Sequence, residues 1–161
     1  KEGAKVYIND ISEERVKDAV KKYKAEAVSA DTMFDLDIDI YAPCALGATV
    51  NDDTLNRLKC KVICGAANNQ LADEKKHGEA VGKKGILYAP DYVVNAGGII
   101  NVYYELEGYN RERAMAHAEK IYENTWNVIQ TAKAEGIPTY MAANVLAEKR
   151  IEAIARINAV L

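Results

Sequence analysis

The feature that most constrains this chain is the shortness and spacing of its apolar runs, which are separated by helix-length polar segments. Val6-Tyr-Ile8, Ala27-Val28, Ile38 to Ala42, Lys61 to Gly65 and Ile86 to Tyr88 each stop at a turn residue or a small-residue passage. Apolar runs this short suit strands buried on both faces. Between the first two lies a helix signature. Ser12 can cap it, Glu13 and Glu14 sit where the helix dipole favours anions, and Val16, Ala19, Val20 and Tyr23 recur at helical spacing as its buried face. Asn51-Asp52-Asp53 opens a short helix carrying Leu55 and Leu58, and Asp73 to Lys84 reads as a charged, solvated helix ending at Gly82 or Gly85. Strands that alternate with helices form a parallel sheet with helices covering it, so the expected class is α/β.

Beyond Gly98 the pattern is helical. Ile99, Ile100, Val102 and Leu106 share one side until Gly108 breaks the run. Asn110 can cap a long helix reaching Glu135, which Gly136 and Pro138 stop. Thr139 can cap a last helix with Val145, Leu146, Ile151, Ile154 and Ile157 on its apolar face. The expected division is residues 1–109 around the sheet and residues 110–161 as helices packing on it.

A chain of 161 residues is long enough for one domain with a core. Its formal net charge of −3 argues against a nucleic-acid or anionic-membrane partner. No apolar run approaches the roughly 20 residues that cross a bilayer. The three cysteines, Cys44, Cys60 and Cys64, come without a secretory signature, so reduced thiols in a cytoplasmic protein are expected. Cys60 and Cys64 lack metal-pair spacing and have no histidine beside them, so no metal site is expected. Lys1 leads directly into strand-like sequence, and the chain is expected to begin partway through a longer protein.

In parallel sheets, ligands bind at the carboxyl ends of the strands. Asp10, Pro43-Cys44-Ala45-Leu46-Gly47, Ala67-Asn68-Asn69 and Asn95-Ala96-Gly97-Gly98 follow the strands here. These are small residues, amides and one carboxylate, a composition closer to a cofactor cradle than to a self-sufficient catalytic centre. Asp10 suits the two hydroxyls of an adenosine ribose, although an aspartate taken alone at this place is more often a helix-capping or turn residue before Ser12. The Asn68-Asn69 pair suits a ribose or carboxylate ligand, and equally a turn. Asn95 suits a carboxamide, or a helix cap beside a glycine turn. His77 and His117 sit in charged or helical contexts that favour solvated or satisfied imidazoles, and Tyr103-Tyr104 favours packing between elements.

Taken together, the segments Asp39-Ile-Tyr-Ala-Pro-Cys-Ala-Leu-Gly47, Ala67-Asn-Asn-Gln-Leu71, Tyr88-Ala-Pro-Asp-Tyr-Val-Val-Asn-Ala-Gly-Gly98, Gly108-Tyr-Asn-Arg-Glu-Arg-Ala-Met115 and Ile137-Pro-Thr-Tyr140 resemble the glutamate/leucine/phenylalanine/valine dehydrogenases, in family order along nearly the whole chain. The resemblance implies a Rossmann-like parallel sheet lacking its first strand and glycine loop, followed by C-terminal helices. It implies NAD as cofactor, with Asp10 on the adenosine ribose, Cys44 and Ala45 lining the adenosine side, Ala67 and Asn68 beside the nicotinamide ribose, and Asn95 on the carboxamide. Asn69 would face the cleft toward a catalytic domain, and Ile99 and Val102 would line a pocket for a branched aliphatic substrate. Ile99 stands where valine is expected, a one-methylene change that shifts discrimination by only ~1–3 kcal/mol. Tyr103-Tyr104 replaces the usual Ala-Asp of the leucine-oxidising members. The implied reaction is deamination of a branched-chain L-amino acid, leucine, to a 2-oxo acid and ammonia. The catalytic lysines and aspartate would lie in an N-terminal domain absent from this chain, and the intact enzyme would be a homo-oligomer. A non-catalytic nucleotide-binding or regulatory module is the alternative.

Overall fold

The computed structural model describes residues 3–158. Strands β1 (Tyr7–Ile8) and β2 (Glu26–Ala27) pair in parallel, with Tyr7 opposite Glu26 and Ile8 opposite Ala27. Strands β3 (Ile40–Tyr41), β4 (Val62–Ile63) and β5 (Leu87–Tyr88) form a second parallel sheet in that order. Its register places Ile40, Val62 and Leu87 side by side, then Tyr41, Ile63 and Tyr88. The ladder runs past the strands through Cys64 N–H to the Tyr41 carbonyl (3.0 Å) and Ala89 N–H to the Ile63 carbonyl (2.9 Å). The class is α/β, as the alternation of apolar runs implies.

The main core gathers Tyr41, Val50, Leu55, Leu58, Cys60, Ile63, Leu71, Val81, Ile86 and Tyr88. Helix α2 (Asp52–Arg57) brings Leu55 to it and α3 (Glu74–Lys83) brings Val81. Asn51 starts α2 with a capping box: its side chain accepts from Asp53 and Thr54 N–H while Thr54 Oγ1 accepts the Asn51 N–H at 3.1 Å. Asp73 caps α3, accepting the Lys76 N–H at 2.8 Å. That helix is not the solvated element its charge implies. His77, Gly78 and Val81 are buried, and a Cβ at Gly78 would lie 2.5 Å from the Tyr140 ring. His77 is satisfied there: Nδ1 accepts the Asp73 N–H at 2.9 Å and Nε2 faces an Asp52 carboxylate oxygen at 3.4 Å.

Helix α1 (Glu13–Tyr23) forms behind its Ser12 cap, yet its expected buried face is open. No residue of α1 is buried; Val20 is 39% and Tyr23 65% exposed. The β1–β2 pair makes a two-stranded sheet of its own, so the stripe of α1 borders a groove instead of a core.

Four helices complete the fold: α4 (Asp91–Val94), α5 (Gly97–Leu106), α6 (Arg111–Glu135) and α7 (Thr139–Asn158). Asn110 caps α6, accepting the Arg113 N–H at 2.9 Å, and Gly136 ends it at φ 66°. Thr139 does not cap α7. It is the helix's first residue and donates its hydroxyl to the Tyr88 carbonyl at 2.6 Å, which ties α7 to the end of β5. Val128, Ala132, Ala142 and Ala143 pack α6 against α7 with Val93 of α4, while Ile100, Tyr104 and Ala114 join α5 to α6. Tyr104 packs as expected, edge-on to His117 (5.9 Å) with the Arg113 guanidinium over its ring at 5.3 Å. On α7 the apolar face is covered only in part: Val145 and Leu146 are half-buried, whereas Ile151, Ile154 and Ile157 are exposed. No described helix is long and apolar enough to cross a membrane.

Candidate functional site

Three loops meet at the carboxyl ends of β3, β4 and β5. The β3 loop docks on the β4 loop through main chain: Pro43 carbonyl accepts Ala67 N–H (2.9 Å), Ala48 N–H donates to the Asn69 carbonyl (2.6 Å), and Val50 N–H donates to the Gln70 carbonyl (3.0 Å). Two glycines permit this approach. A Cβ at Gly47 would lie 2.6 Å from the Asn68 carbonyl oxygen and 2.8 Å from that of Asn69, and one at Gly65 would fall inside the Pro43 backbone. Asn69 holds the turn with a left-handed φ of 51°, a conformation asparagine tolerates.

The third loop closes over the second. Asn95 Nδ2 donates to Asn68 Oδ1 at 2.5 Å and reaches the Ala66 carbonyl at 3.5 Å. Asn95 therefore does not cap α5, which begins after Ala96 without a side-chain cap. Nor is the passage before it irregular: Asp91–Val94 is one helical turn, α4. Gly97 and Gly98 are helical, with nothing within 4 Å of a built Cβ, so they border open space. Ile99 (73% exposed) and Val102 (54% exposed) lie one turn apart on the same helix.

The remaining candidates lie at the rim or apart from this junction. Cys44 and Ala45 are exposed on the β3 loop, whereas Ala67 is buried and offers only main chain. Asp10 ends β1, in the other sheet. One of its oxygens accepts the Ser12 N–H at 2.8 Å and the other lies 3.8 Å from Arg15. It borders a groove of about 460 Å³ with Asn9, Glu13, Val16, Val20 and Val28.

Sequence reasoning passed over two buried residues that brace the loops. Gln70 is fully buried, its Nε2 donating to the Gly65 carbonyl at 2.6 Å and the Ala67 carbonyl at 3.0 Å. Asp91 is also buried, with Oδ2 accepting the Gln70 N–H at 3.1 Å and Oδ1 the Tyr92 N–H at 2.7 Å. Nothing local in the sequence separates a buried glutamine from an exposed one after an Asn-Asn turn. The partner that buries Gln70 comes 21 residues later.

Neutral groups dominate the junction. The three loops contain no lysine or histidine. Burial pushes the Cys64 thiol above its ordinary pKa of 9.0, and the nearby Cys44 thiol adds to this. Burial likewise raises Tyr41, deeper in the core. Among the described residues no three His, Cys, Asp or Glu side chains converge as metal ligands.

This donor set fits a nicotinamide dinucleotide. A carboxamide needs one acceptor and one donor: Asn95 Oδ1 has no partner among the described residues, and the Nδ2 hydrogen that reaches the Ala66 carbonyl only at 3.5 Å can turn to a ligand. A ribose diol needs a carboxylate with lone pairs to spare, which Asp10 has at the groove.

The sequence profile described as Glutamate/Leucine/Phenylalanine/Valine dehydrogenase matches residues 3–157. The leucine dehydrogenase of Thermoactinomyces intermedius is 56% identical over 151 residues, covering 94% of this chain and 41% of that protein. The leucine dehydrogenase of Bacillus subtilis is 54% identical over 155 residues, covering 96% of this chain and 42% of that protein. In structure, the L-tryptophan dehydrogenase from Nostoc punctiforme superposes with a TM-score of 0.92 at 41% identity, covering 94% of this chain and 46% of that one. This chain thus spans less than half the length of each of these relatives, and it belongs to the glutamate/leucine/phenylalanine/valine dehydrogenase family.

Proposed function

We propose that this chain is the NAD-binding part of a dehydrogenase that deaminates a branched-chain L-amino acid, leucine, to its 2-oxo acid and ammonia. The observation that carries the reading is the Asn68–Asn95 amide pair at the meeting of three strand-end loops, next to the exposed apolar face of α5. In this reading Asn95 holds the carboxamide, Asn68 and Ala67 sit by the adjoining ribose, Asp10 takes the adenosine ribose, and Cys44 and Ala45 flank the adenosine side. Asn69 faces the substrate cleft, while Ile99 and Val102 contact the aliphatic side chain. Bound NAD supplies the hydride acceptor. The chain's own residues orient it and keep water from one face of the reacting atoms. Residues 1–109 carry the cofactor, and residues 110–161 pack on them toward the interdomain hinge.

Proton transfer is assigned elsewhere in the intact protein, because the loops hold no lysine or histidine and the carboxylate of Asp91 is engaged by two N–H groups. The intact enzyme is read as a homo-oligomer. The same absence of a base supports a second reading, a non-catalytic nucleotide-binding module.

The test is NADH fluorescence titration of the intact polypeptide carrying Asn95→Ala, with initial rates on leucine, valine and phenylalanine. Loss of the carboxamide partners is expected to weaken NADH binding roughly tenfold. Unchanged affinity overturns the cofactor assignment. Tight NADH binding with no amino-acid oxidation by the intact polypeptide favours the module.

A further inference from the structure

Burying a carboxylate is costly unless hydrogen bonds replace its water. Asp91, 8% exposed, uses two main-chain N–H groups from different elements for this: Tyr92 at the start of α4, and Gln70 at the end of the β4 loop. Pro90 provides no side-chain cap to α4, so Asp91 also neutralises that helix end. Gln70 continues the connection, since its Nε2 holds the carbonyls of Gly65 and Ala67, on either side of Ala66 and one residue before Asn68. Asn95 is joined to Asp91 through its own N–H, which donates to the Asp91 carbonyl at 2.8 Å across the single turn of α4. The two amides that meet at 2.5 Å are therefore mounted on one buried unit: Asn68 through Gln70, and Asn95 through α4.

From this connection we infer that Asp91 and Gln70 are positioning residues for the cofactor, setting the relative placement of the Asn68 and Asn95 side chains without touching the ligand. The inference rests on the cofactor reading of that amide pair. It assigns to two residues remote from the open side of the loops a role in affinity for the nicotinamide end, in addition to any role in stability.

A double-mutant cycle in the intact polypeptide tests it, with NADH titration and urea unfolding measured on each variant. Asp91→Asn keeps the size and places an NH2 group against one of the two N–H donors. It is expected to weaken NADH binding roughly tenfold in the native background and less than twofold once Asn95 is alanine, because its effect passes through Asn95. Gln70→Met, which keeps the length and removes both donors, is expected to weaken NADH binding likewise in the native background and less than twofold once Asn68 is alanine, since Gln70 holds the loop that carries Asn68; it serves if Asp91→Asn does not fold. An equal loss in both backgrounds overturns the inference, as does a lowered urea midpoint with unchanged NADH affinity; in either case Asn95→Ala alone still weakens binding. If Asn95→Ala by itself has no effect, the cofactor reading fails and takes the positioning role with it.

Discussion

At Gly47 an added Cβ would meet the carbonyl oxygens of Asn68 and Asn69 at 2.6 and 2.8 Å, whereas at Gly97 and Gly98 it would meet nothing within 4 Å. Gly47→Ala must push apart two backbone segments, and a loss of about 1–3 kcal/mol is expected in urea unfolding. Gly98→Ala has no such obstacle, sits in a helix and has no positive φ. It is expected to leave the unfolding midpoint unchanged or higher while lowering NADH affinity, the pattern of a glycine kept for an approaching ligand. Equal stability losses for both variants would contradict this division. The glycine pair before Ile99 is visible in the sequence because two adjacent glycines interrupt an apolar run. Gly47 and Gly65 look like ordinary turn residues, because what stands opposite them comes from another loop.

Elements with a local signature were legible, including the parallel strands, the Ser12 and Asn110 caps, the start of α2 at Asn51, and the Gly136 stop. Elements defined by a distant neighbour were not. Helix α3 looks solvated by charge until Tyr140 covers Gly78, and α4 is too short to show a period. The contact between α4 and α7 also rests on a group that titrates. The single hydroxyl hydrogen of Tyr92 is shared between the Tyr140 carbonyl (3.2 Å) and Asn144 Oδ1 (3.1 Å). Partial burial, with Glu74 and Asp91 nearby, pushes its pKa from 10.0 up to about 12, and burial raises Tyr88 as well. A tyrosine in the unfolded chain ionises at its ordinary pKa. Folding therefore holds the phenol protonated, and that stabilisation is complete below pH 10 and lost as pH rises toward about 12. Urea midpoints measured across that range should fall, and Tyr92→Phe should flatten part of the fall while lowering the midpoint at neutral pH. A Tyr92→Phe profile parallel to the native one would remove Tyr92 from this account.

Across the whole molecule, the two sheets differ in completeness. The β3–β4–β5 sheet lies over a closed core, while the β1–β2 pair leaves the apolar stripe of α1 along an open groove beside Asp10. The expected outcome for the 161-residue chain alone is no leucine-dependent NADH production, followed by NADH absorbance, since the loops hold no lysine or histidine and their Asp91 carboxylate is engaged by two N–H groups. Turnover by the purified chain would refute the division of labour proposed above. The periodicity of α1 implied a buried face, and that burial is not found, because what covers an apolar stripe is not encoded in the helix itself. The α/β class was legible from strand spacing, while the junction of amides required the register of three strands to be seen.

Apart from the two glycines, the docking of the β3 and β4 loops is made by carbonyl groups and by N–H groups that every residue type but proline carries. The shape of this support is thus insulated from most changes in the side chains it displays. In the cofactor reading proposed above, the exposed Cys44 and Ala45 can then vary in size and polarity, and preference for one dinucleotide over another can drift while the scaffold stays as it is. A library randomised at both positions is expected to yield mostly folded proteins that differ in cofactor choice, and one randomised at Gly47 and Gly65 to return glycine.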